Sequence, residues 1–342
     1  MYVSAGGPYQ NWPGPLYTAG YERYRERASL RRTSNRVCLT ALIGIVLMAK
    51  VLPIIGGIFL GSIGFPLTNH STFSGIPPVL YYLLVAFDYI AGLALPAFIY
   101  FSAQHMPLSE GIPFGKTSVA DVALYVAFGC MVCMLANYPA NLVAKLQEFF
   151  GYSGNLPSMP LNNDPAVLAL YGLSVVVIPP LVEEIMFRGV ILQSLRRYGD
   201  GFAVLVSAML FGMYHGNFIQ MVFAFLSGLA LGFVVIRTNS LLPSILIHFI
   251  NNGISYADEM ILRFYGQNAA NDMQNIATYI LIALGVVAMI VLIVQRKLLP
   301  RKRSGSILPF SSRLGAAFGN FGAVCFIIYA IAYSVYMLHY GG

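Results

Sequence analysis

The feature that most constrains this chain is a series of long stretches with almost no charged side chains. Residues 37–62, 79–101 and 275–296 each contain a single charged residue. Each stretch is long enough for a helix to cross a bilayer, which takes roughly 20 predominantly apolar residues. Of the 342 residues, 58% are hydrophobic and only 10% are charged, which is too apolar for an ordinary soluble fold to bury. The sequence therefore predicts an integral, multi-pass membrane protein.

The fold class expected from these stretches is all-α, a polytopic transmembrane helix bundle of about eight or nine spans. The short 201–216 segment is expected to form a pair with 217–236 that turns around within the membrane. The candidate spans are 37–62, 79–101, 119–143, 165–197, 201–216, 217–236, 241–262, 275–296 and 316–338.

The basic residues predict the orientation of the bundle. The net charge is +7, and the basic residues are grouped in short clusters between the apolar stretches: Arg23 to Arg36, Arg196–Arg197, Arg237 and Arg296 to Arg303. All four clusters lie on one side when the spans alternate, and the positive-inside rule makes that side, with the N-terminus, cytoplasmic. Short clusters at span ends leave no folded basic surface for nucleic acid, so we expect no nucleic-acid partner.

Ionisable residues within the apolar stretches are candidates for function, because a charge near mid-bilayer costs at least about 2.5–3.5 kcal/mol. The densest group is Glu183-Glu184-Ile-Met-Phe-Arg188. Glu184 and Arg188 are four residues apart, so they lie on one helix face and are expected to pair. Glu183 points about 100° away and stays available for chemistry. A purely structural Glu–Arg pair is the alternative.

Two histidines in other apolar stretches add to this group. Phe211 and His215 share one helix face, and so do His248 and Asn252. Counted from the helix ends, the depths of Glu183, His215 and His248 allow them to meet, and we expect their side chains within about 8 Å of each other. They would line a membrane-buried active-site cavity open toward the cytoplasm. Pro179-Pro180 should kink the fourth span beside it and free backbone carbonyls.

Glu-Glu-x-x-x-Arg, Phe-x-x-x-His and His-x-x-x-Asn, in this order, resemble the signature of the CPBP intramembrane protease family. That family contains type II CAAX prenyl endopeptidases and bacteriocin-processing or immunity proteins of bacteria. The stretches Phe225-Leu-Ser-Gly-Leu-Ala-Leu-Gly232 and Thr238-Asn-Ser-Leu-Leu also resemble the family's glycine-rich helix and the approach to its last histidine. The resemblance covers about residues 165–258, and it implies an endopeptidase that cleaves a peptide or a membrane-associated precursor in the bacterial cell membrane.

The resemblance also implies roles for the site residues. Glu183 would be the general base, His215 would help hold the attacking water, and His248 with Asn252 would face the oxyanion. Glu184 belongs to the same catalytic group, and Arg188 and Phe211 would support it structurally. A divalent metal such as zinc is the open alternative, with Glu183, His215 and His248 as ligands. In that case Glu184 would be the base.

The domain organisation expected from these observations has four parts: a mobile, cytoplasmic polar tail (1–36), N-terminal transmembrane helices (37–164), a CPBP-like catalytic core (165–262) and C-terminal transmembrane helices (263–342). The partners would be a peptide or membrane-protein substrate and the lipid bilayer. Two other functions stay open. A proton-coupled transporter also needs buried acids and histidines, and a non-catalytic immunity or scaffold protein would bind a peptide without cleaving it.

Four further residues in the apolar stretches carry predictions of their own. Lys50 and Asp88 lie at similar depth in consecutive antiparallel spans, so they could form an ion pair. The alternative is that Lys50 reaches an interface while Asp88 meets water in the cavity. Cys130 and Cys133 are one helical turn apart, and we expect them to be packing residues rather than a redox or metal site.

Overall fold

The structure is a computed structural model that describes residues 15–65, 73, 75–153, 159–298 and 305–340. Within these ranges the fold is helical and contains no β-strand, as the sequence predicts. Its only strand-like feature is an isolated bridge between Phe114 and Ser240, which ties two loops together. The helices are α1 (Pro15–Val46), α2 (Leu52–Ser62), α3 (Pro78–Ala103), α4 (Leu108–Gly111), α5 (Val119–Phe149), α6 (Pro165–Gly172), α7 (Ile178–Glu184), α8 (Gln193–Leu195), α9 (Asp200–Tyr214), α10 (Phe218–Thr238), α11 (Leu242–Tyr265), α12 (Gln267–Val294), α13 (Phe310–Phe318) and α14 (Phe321–Tyr340).

Several of these helices join into longer rods through π-helical turns. A π-turn at Leu47–Val51 joins α1 to α2. Two more, at Leu173–Val177 and Ile185–Leu192, lie on either side of α7 in the segment Pro165–Tyr198. A π-turn inserts one residue into the α-helical register and often occurs at functional sites. The rod that holds Glu183 and Glu184 is therefore irregular on both sides of the two carboxylates.

Seven helical segments in the described part of the chain are long and apolar enough to span a membrane. They begin at Ala19, Pro78, Val119, Pro165, Phe218, Gln267 and Phe321. Two of the nine predicted spans fall outside this set for different reasons. Asp200–Tyr214 is apolar but short. The 24-residue helix α11 is long enough, but its many polar side chains exclude it by composition.

The rod Pro165–Tyr198 is, with α10, the most buried of the seven spanning segments in the described part of the chain. Its Met186, Phe187, Val190 and Ile191 have no exposed surface. The rod is packed against α3, α9, α11 and α1. Arg188 and Glu184 in this rod have no exposed surface, and Glu183 is almost fully buried.

The glycines of α10 and α9 let these two helices approach each other closely. A Cβ placed on Gly228 would lie 3.2 Å from both Cα and Cβ of Ala208, and one on Gly212 would lie 2.7 Å from the carbonyl oxygen of Met221. Any larger side chain at these positions would push the two helices apart. This packing brings the end of α9, with His215, against the core.

The polar segment before residue 37 is helical where the structure describes it, so the expectation of a mobile tail is wrong for residues 19–36. Leu30 and Ser34 have no exposed surface. The Ser34 hydroxyl donates to the carbonyl of Ala317 at 2.6 Å, and the side-chain oxygen of Asn35 accepts from the backbone N–H of Gly322 at 2.7 Å. The polar residues of α1 are thus the ones that anchor it to α13 and α14.

Lys50 and Asp88 do not form the ion pair that their similar depths suggested. Among the described residues Lys50 is exposed and has no acidic group within 4.0 Å, and Asp88 is half-buried without a salt bridge. Two residues at equal depth in the membrane can still project from different sides of their helices. Cys130 and Cys133 are buried free thiols in the core, as expected for packing residues.

Candidate active site

The kink in the central rod begins at Val175, whose carbonyl loses its helical partner. The residues four and five positions later are Pro179 and Pro180, and neither has an N–H to donate. The side chain of Asn252 replaces that donor, because its Nδ2 lies 2.9 Å from the carbonyl oxygen of Val175. The prolines thus free a backbone carbonyl, as the sequence predicts, and α11 binds it.

Glu184 and Arg188 form the predicted pair. Arg188 Nη1 donates to Glu184 Oε1 at 2.8 Å, and neither side chain has any exposed surface. The guanidinium also lies 4.2 Å from the centre of the Phe211 ring, and its Nη2 donates to the carbonyl of Gly228 at 3.4 Å. A buried charge needs such compensation from a partner, a carbonyl and an aromatic face. Arg188 thus contacts Phe211, and both lie beside the two carboxylates.

Glu183 lies next to this pair, is only 2% exposed, and has different partners. The Tyr89 hydroxyl donates a short hydrogen bond to Oε1, and the Tyr214 hydroxyl donates to that of Tyr89 at 3.1 Å. Oε2 has no hydrogen-bond partner among the described residues. One oxygen of the carboxylate is thus held by a tyrosine pair, while the other is buried and makes no such bond.

His248 connects the two carboxylates. Its Nδ1 lies 3.2 Å from Glu184 Oε1, and its Nε2 lies 3.8 Å from Glu183 Oε2. A carboxylate only accepts hydrogen bonds, so Nδ1 carries a proton and Nε2 is the nitrogen directed at Glu183. Glu184 therefore orients this histidine as well as neutralising Arg188.

His215 caps the end of α9, where the chain turns at Gly216 with a positive φ of 64°. The His215 Nδ1 lies 2.9 Å from the carbonyl oxygen of Phe211, so Nδ1 carries the proton and Nε2 is an acceptor in the neutral ring. The Phe211 ring makes edge contacts with the rings of both His215 and His248, with centroids 4.9 and 5.9 Å apart. His215, His248 and Glu183 line one cavity, which brings together the three residues that the sequence singled out.

Asn252 lines the same cavity, one turn beyond His248 on α11. One of its two N–H groups is committed to Val175, and its Oδ1 accepts from Asn251 Nδ2 at 3.4 Å. The second N–H of Nδ2 is left for another acceptor. Asn252 therefore contacts the backbone of the kink as well as lining the cavity.

The cavity has a volume of about 750 Å³ and is mostly on one side of the carboxylates. It continues past His248 along α11 as far as Glu259, and it includes Met159 and Gln274. These residues lie near the helix ends opposite Arg196 and Arg197. The cavity therefore extends away from the basic clusters, so a cytoplasmic position of those clusters and a cavity open toward the cytoplasm, both expected from the sequence, do not hold together.

Much of the cavity lining beyond the carboxylates consists of neutral polar side chains. Those that carry an amide or a hydroxyl are Asn137, Asn141, Asn251, Ser255, Tyr256 and Gln274. Farther along, the Tyr171 hydroxyl donates a short hydrogen bond to Glu259. Amides both donate and accept, as the backbone of an extended peptide does, so this lining suits a peptide better than a purely apolar ligand.

The residues named as a possible metal site do not fit a metal ion. In the described part of the chain, no group of three or more His, Cys, Asp or Glu side chains has the geometry to hold one. Nδ1 of His215 and of His248 each faces an oxygen acceptor, so ligation would have to come from the two Nε2 atoms and Glu183 Oε2, and these do not form such a group.

Tyr89 and Tyr214 are the site residues that the sequence analysis missed. Tyrosine is a common packing residue in apolar helices, and nothing in the local sequence separates these two from the other twenty tyrosines. Tyr214 directly precedes His215, but it faces α3 rather than the solvent side of α9. Only the packing of α3 against α7 brings Tyr89 to Glu183.

Comparison with known proteins agrees with the site. Residues 165–254 match the family model described as type II CAAX prenyl endopeptidase Rce1-like. This segment of the chain is Rce1-like. The match contains Glu183, Glu184, Arg188, His215 and His248, and it confirms the predicted resemblance to the CPBP family.

The Rce1-like segment covers about a quarter of the chain. The apolar helices indicate an integral membrane protein, and the matched segment is similar to intramembrane proteases of the CAAX type. Searches of curated proteins and of solved structures each returned no match.

Proposed function

We propose that the chain is an intramembrane endopeptidase in which Glu183 activates a water molecule for attack on a peptide bond. The observation that carries this proposal is the free oxygen of Glu183. Oε2 is buried, lacks a hydrogen-bond partner among the described residues, and lies 3.8 Å from His248 Nε2 at the wall of a large cavity. Glu184 Oε2 is also buried without a partner in the described part of the chain, but of the two glutamates only Glu183 lines the cavity, so its unpartnered oxygen favours a functional role.

In the proposed reaction, a water molecule donates one hydrogen bond to Glu183 Oε2 and the other to His215 Nε2. Glu183 takes a proton as the water oxygen bonds to the carbonyl carbon of the substrate. His248, in its protonated form, donates from Nε2 to the oxyanion of the tetrahedral intermediate, and Glu184 balances its charge. Glu183 then gives its proton to the amide nitrogen, and the C–N bond breaks. One water is consumed, and an acid and an amine leave.

Asn252 has a positioning role in this proposal and a second role at the oxyanion. Its hydrogen bond to Val175 joins α11 to the kinked rod, so it fixes His248 relative to Glu183. Its second amide N–H is the further donor that could reach the oxyanion. Tyr89 and Tyr214 hold the other oxygen of Glu183, which keeps Oε2 directed at the cavity.

The direction in which the cavity extends supports substrate entry from one particular side of the membrane. The cavity extends away from Arg196 and Arg197, and the positive-inside rule makes that basic end cytoplasmic. With the N-terminus in the cytoplasm, a substrate in a bacterial cell membrane would then enter from the non-cytoplasmic side. Its main chain would lie along α11, whose Asn251, Asn252 and Ser255 line the path to His248.

The test is cleavage by the purified full-length protein in liposomes. Quenched fluorescent peptides, with and without a prenylated cysteine near the C-terminus, are the probes. We expect Glu183→Gln to lower the cleavage rate by about 10²–10⁴-fold, because the amide cannot accept the proton. Glu148→Gln is the matched control, since Glu148 is exposed at the end of α5.

Retention of full activity in Glu183→Gln would overturn the proposed role of this residue. A folded wild-type protein that binds these peptides without cleaving any of them would favour the non-catalytic peptide-binding function. Circular dichroism and size-exclusion elution of Glu183→Gln must match those of wild type, so that loss of fold is not counted as loss of chemistry.

A further inference from the structure

A second cavity, separate from the candidate active site, lies at the basic end of the bundle. It has a volume of about 700 Å³ and is lined by three arginines, Arg36, Arg196 and Arg197. Arg36 comes from α1, and the other two come from the end of the central rod. Two arginine clusters that are about 160 residues apart in the sequence are thus brought to one pocket.

The positive charge of this pocket is only partly neutralised. Arg196 Nε donates to Asp200 at 3.1 Å, but among the described residues Arg36 and Arg197 have no acidic group within 4.0 Å. They bind neutral oxygens instead. Arg36 Nη1 donates to the side chain of Gln104, and Arg197 Nη2 donates to Thr33 at 2.6 Å. Glu110 is the only acidic residue that lines the pocket in the described part of the chain.

The hydrogen bonds that these arginines make also fix their positions. Arg196 Nη1 donates to the side-chain oxygens of Gln193 at 3.1 Å and Asn239 at 3.0 Å. Arg197 lies over the ring of Tyr198 at 4.8 Å. Guanidinium groups held in place in this way lose little entropy when they bind an anion, and their fork geometry suits phosphate oxygens.

Gln193 gives an independent sign of a ligand. Its side chain is only 8% exposed and lines the pocket, and its Oε1 accepts from Arg196. Its Nε2 is buried and has no hydrogen-bond partner in the part of the chain that the structure describes. A buried amide donor without an acceptor needs an explanation. An acceptor oxygen bound in the pocket would supply one.

The pocket lies where lipid headgroups would be. Arg36 directly precedes the apolar stretch of α1, and Arg196–Arg197 end the spanning segment Pro165–Tyr198. Arginine near a membrane surface attracts anionic lipids. The volume is also within the range of pockets that bind small molecules.

We propose that this pocket binds the phosphate group of an anionic phospholipid through Arg36, Arg197 and the amide of Gln193. Bound lipid would join α1 to the end of the rod that carries Glu183 and Glu184. The same chemistry would accept free inorganic phosphate, and the experiment separates these two sources. The proposal does not depend on the proteolytic function.

The experiment follows thermal unfolding of the purified full-length protein in a neutral detergent. Phosphatidylglycerol, phosphatidylcholine with the same acyl chains, and inorganic phosphate are added in separate titrations. We expect phosphatidylglycerol to raise the unfolding temperature of the wild type with a saturating dependence. Phosphatidylcholine should leave it unchanged.

The test variant is Arg36→Gln/Arg197→Gln, and the matched control is Arg31→Gln/Arg32→Gln. The control removes the same charge from exposed positions of α1 that do not line the pocket. We expect roughly a five-fold loss of lipid affinity per pocket arginine, or on the order of 20-fold for the pair, and little change in the control. Native mass spectrometry that counts bound phosphatidylglycerol gives a second readout.

Arg197→Gln could disturb folding because Arg197 also contacts Thr33, so Arg36→Gln is measured alone as well. Arg36 is exposed and donates to the side chain of Gln104, and its loss should weaken lipid binding about five-fold. If inorganic phosphate raised the unfolding temperature as much as phosphatidylglycerol does, and the variants lost this effect too, free phosphate would be the ligand. Equal lipid affinity in wild type, test variant and control, or no effect of lipid or phosphate on the wild type, would overturn the proposal.

Discussion

His248 and Glu184 are joined by a contact of 3.2 Å between Nδ1 and Oε1. Since the same carboxylate oxygen also accepts from Arg188 at 2.8 Å, Glu184 connects a fixed cation to a histidine that faces the cavity. The adjacent carboxylate, Glu183, forms no hydrogen bond or ion pair of this kind with Arg188 or Glu184 among the described residues. The two glutamates are therefore neighbours in sequence with different surroundings, since Glu184 contacts Arg188 and His248 while Glu183 lines the cavity.

This difference in surroundings predicts different responses to substitution at Arg188 and at Glu183. Arg188→Gln removes the partner of a fully buried Glu184 and should lower the free energy of unfolding by about 3–5 kcal/mol. Arg188→Lys should be milder, since it keeps the charge but loses the fork that spans Glu184 and Gly228. Thermal unfolding in detergent measures both. Cleavage rate per folded molecule should fall far more in Glu183→Gln, and equal catalytic losses in well-folded variants would contradict this prediction.

Tyr89 gives a second prediction. Tyr89→Phe removes the donor to Glu183 Oε1 while keeping the ring. A hydrogen bond to a charged group contributes about 1.5–3 kcal/mol, so we expect the cleavage rate to fall by roughly 10- to 100-fold. Tyr214→Phe should have a smaller effect, because the Tyr214 hydroxyl donates to Tyr89 and interacts less closely with Glu183 than Tyr89 does.

Tyr138→Phe is the matched control for this pair, since Tyr138 is 61% exposed on α5. It should leave the rate unchanged. Steady-state kinetics with one quenched peptide would rank the three variants. An effect of Tyr214→Phe as large as that of Tyr89→Phe would mean that Tyr214 contacts the substrate or Glu183 directly.

The sequence was sufficient to predict the chemical core of the site, for a physical reason. A charge or an imidazole within an apolar helix is costly, so Glu183, Glu184, Arg188 and His248 stand out from the apolar residues around them in the sequence alone. The i,i+4 spacing also fixes which of them can pair on one helix, and the Glu184–Arg188 contact follows from it.

The remaining features depend on how helices rotate and pack, which the sequence pattern does not fix. Tyr89 reaches Glu183 only because α3 presents that face to α7, and Lys50 misses Asp88 because the two helices turn these residues apart. Counting depth along each helix placed the site residues at a common level in the membrane. It did not show toward which end of the bundle the cavity beside the kinked rod extends. Only the packed structure shows that the cavity extends away from the basic clusters.

Asn252 gives a third prediction, which concerns the kink. Asn252→Leu leaves the carbonyl of Val175 without its donor and should cost about 0.5–1.5 kcal/mol of stability. It should also lower the cleavage rate, because His248 is one turn away on the same helix. Asn141→Leu is the control, since Asn141 lines the cavity but is exposed. A lower rate with unchanged stability would mean that Asn252 acts on the substrate alone and does not hold the kink.

The side from which the cavity is reached gives the last prediction. Ser255 is exposed on α11 and lines the cavity, whereas Ser102 is exposed at the opposite, basic end of the bundle near the end of α3. A cysteine at Ser255 should react with a membrane-impermeant maleimide from one side of the membrane, and a cysteine at Ser102 from the other. Of the native cysteines, Cys38, Cys130 and Cys133 are buried, so Cys325→Ser removes the main source of background labelling.

Labelling is done in intact cells and in inverted membrane vesicles. With the basic clusters in the cytoplasm, Ser255→Cys should be labelled in cells and Ser102→Cys in inverted vesicles. A peptide that occupies the cavity should protect Ser255→Cys but not Ser102→Cys. The reverse pattern of labelling would place the basic clusters outside and the cavity mouth in the cytoplasm. Reaction of both cysteines from the same side of the membrane would place Ser255 and Ser102 at the same end of the bundle. That result would contradict the direction in which the cavity extends.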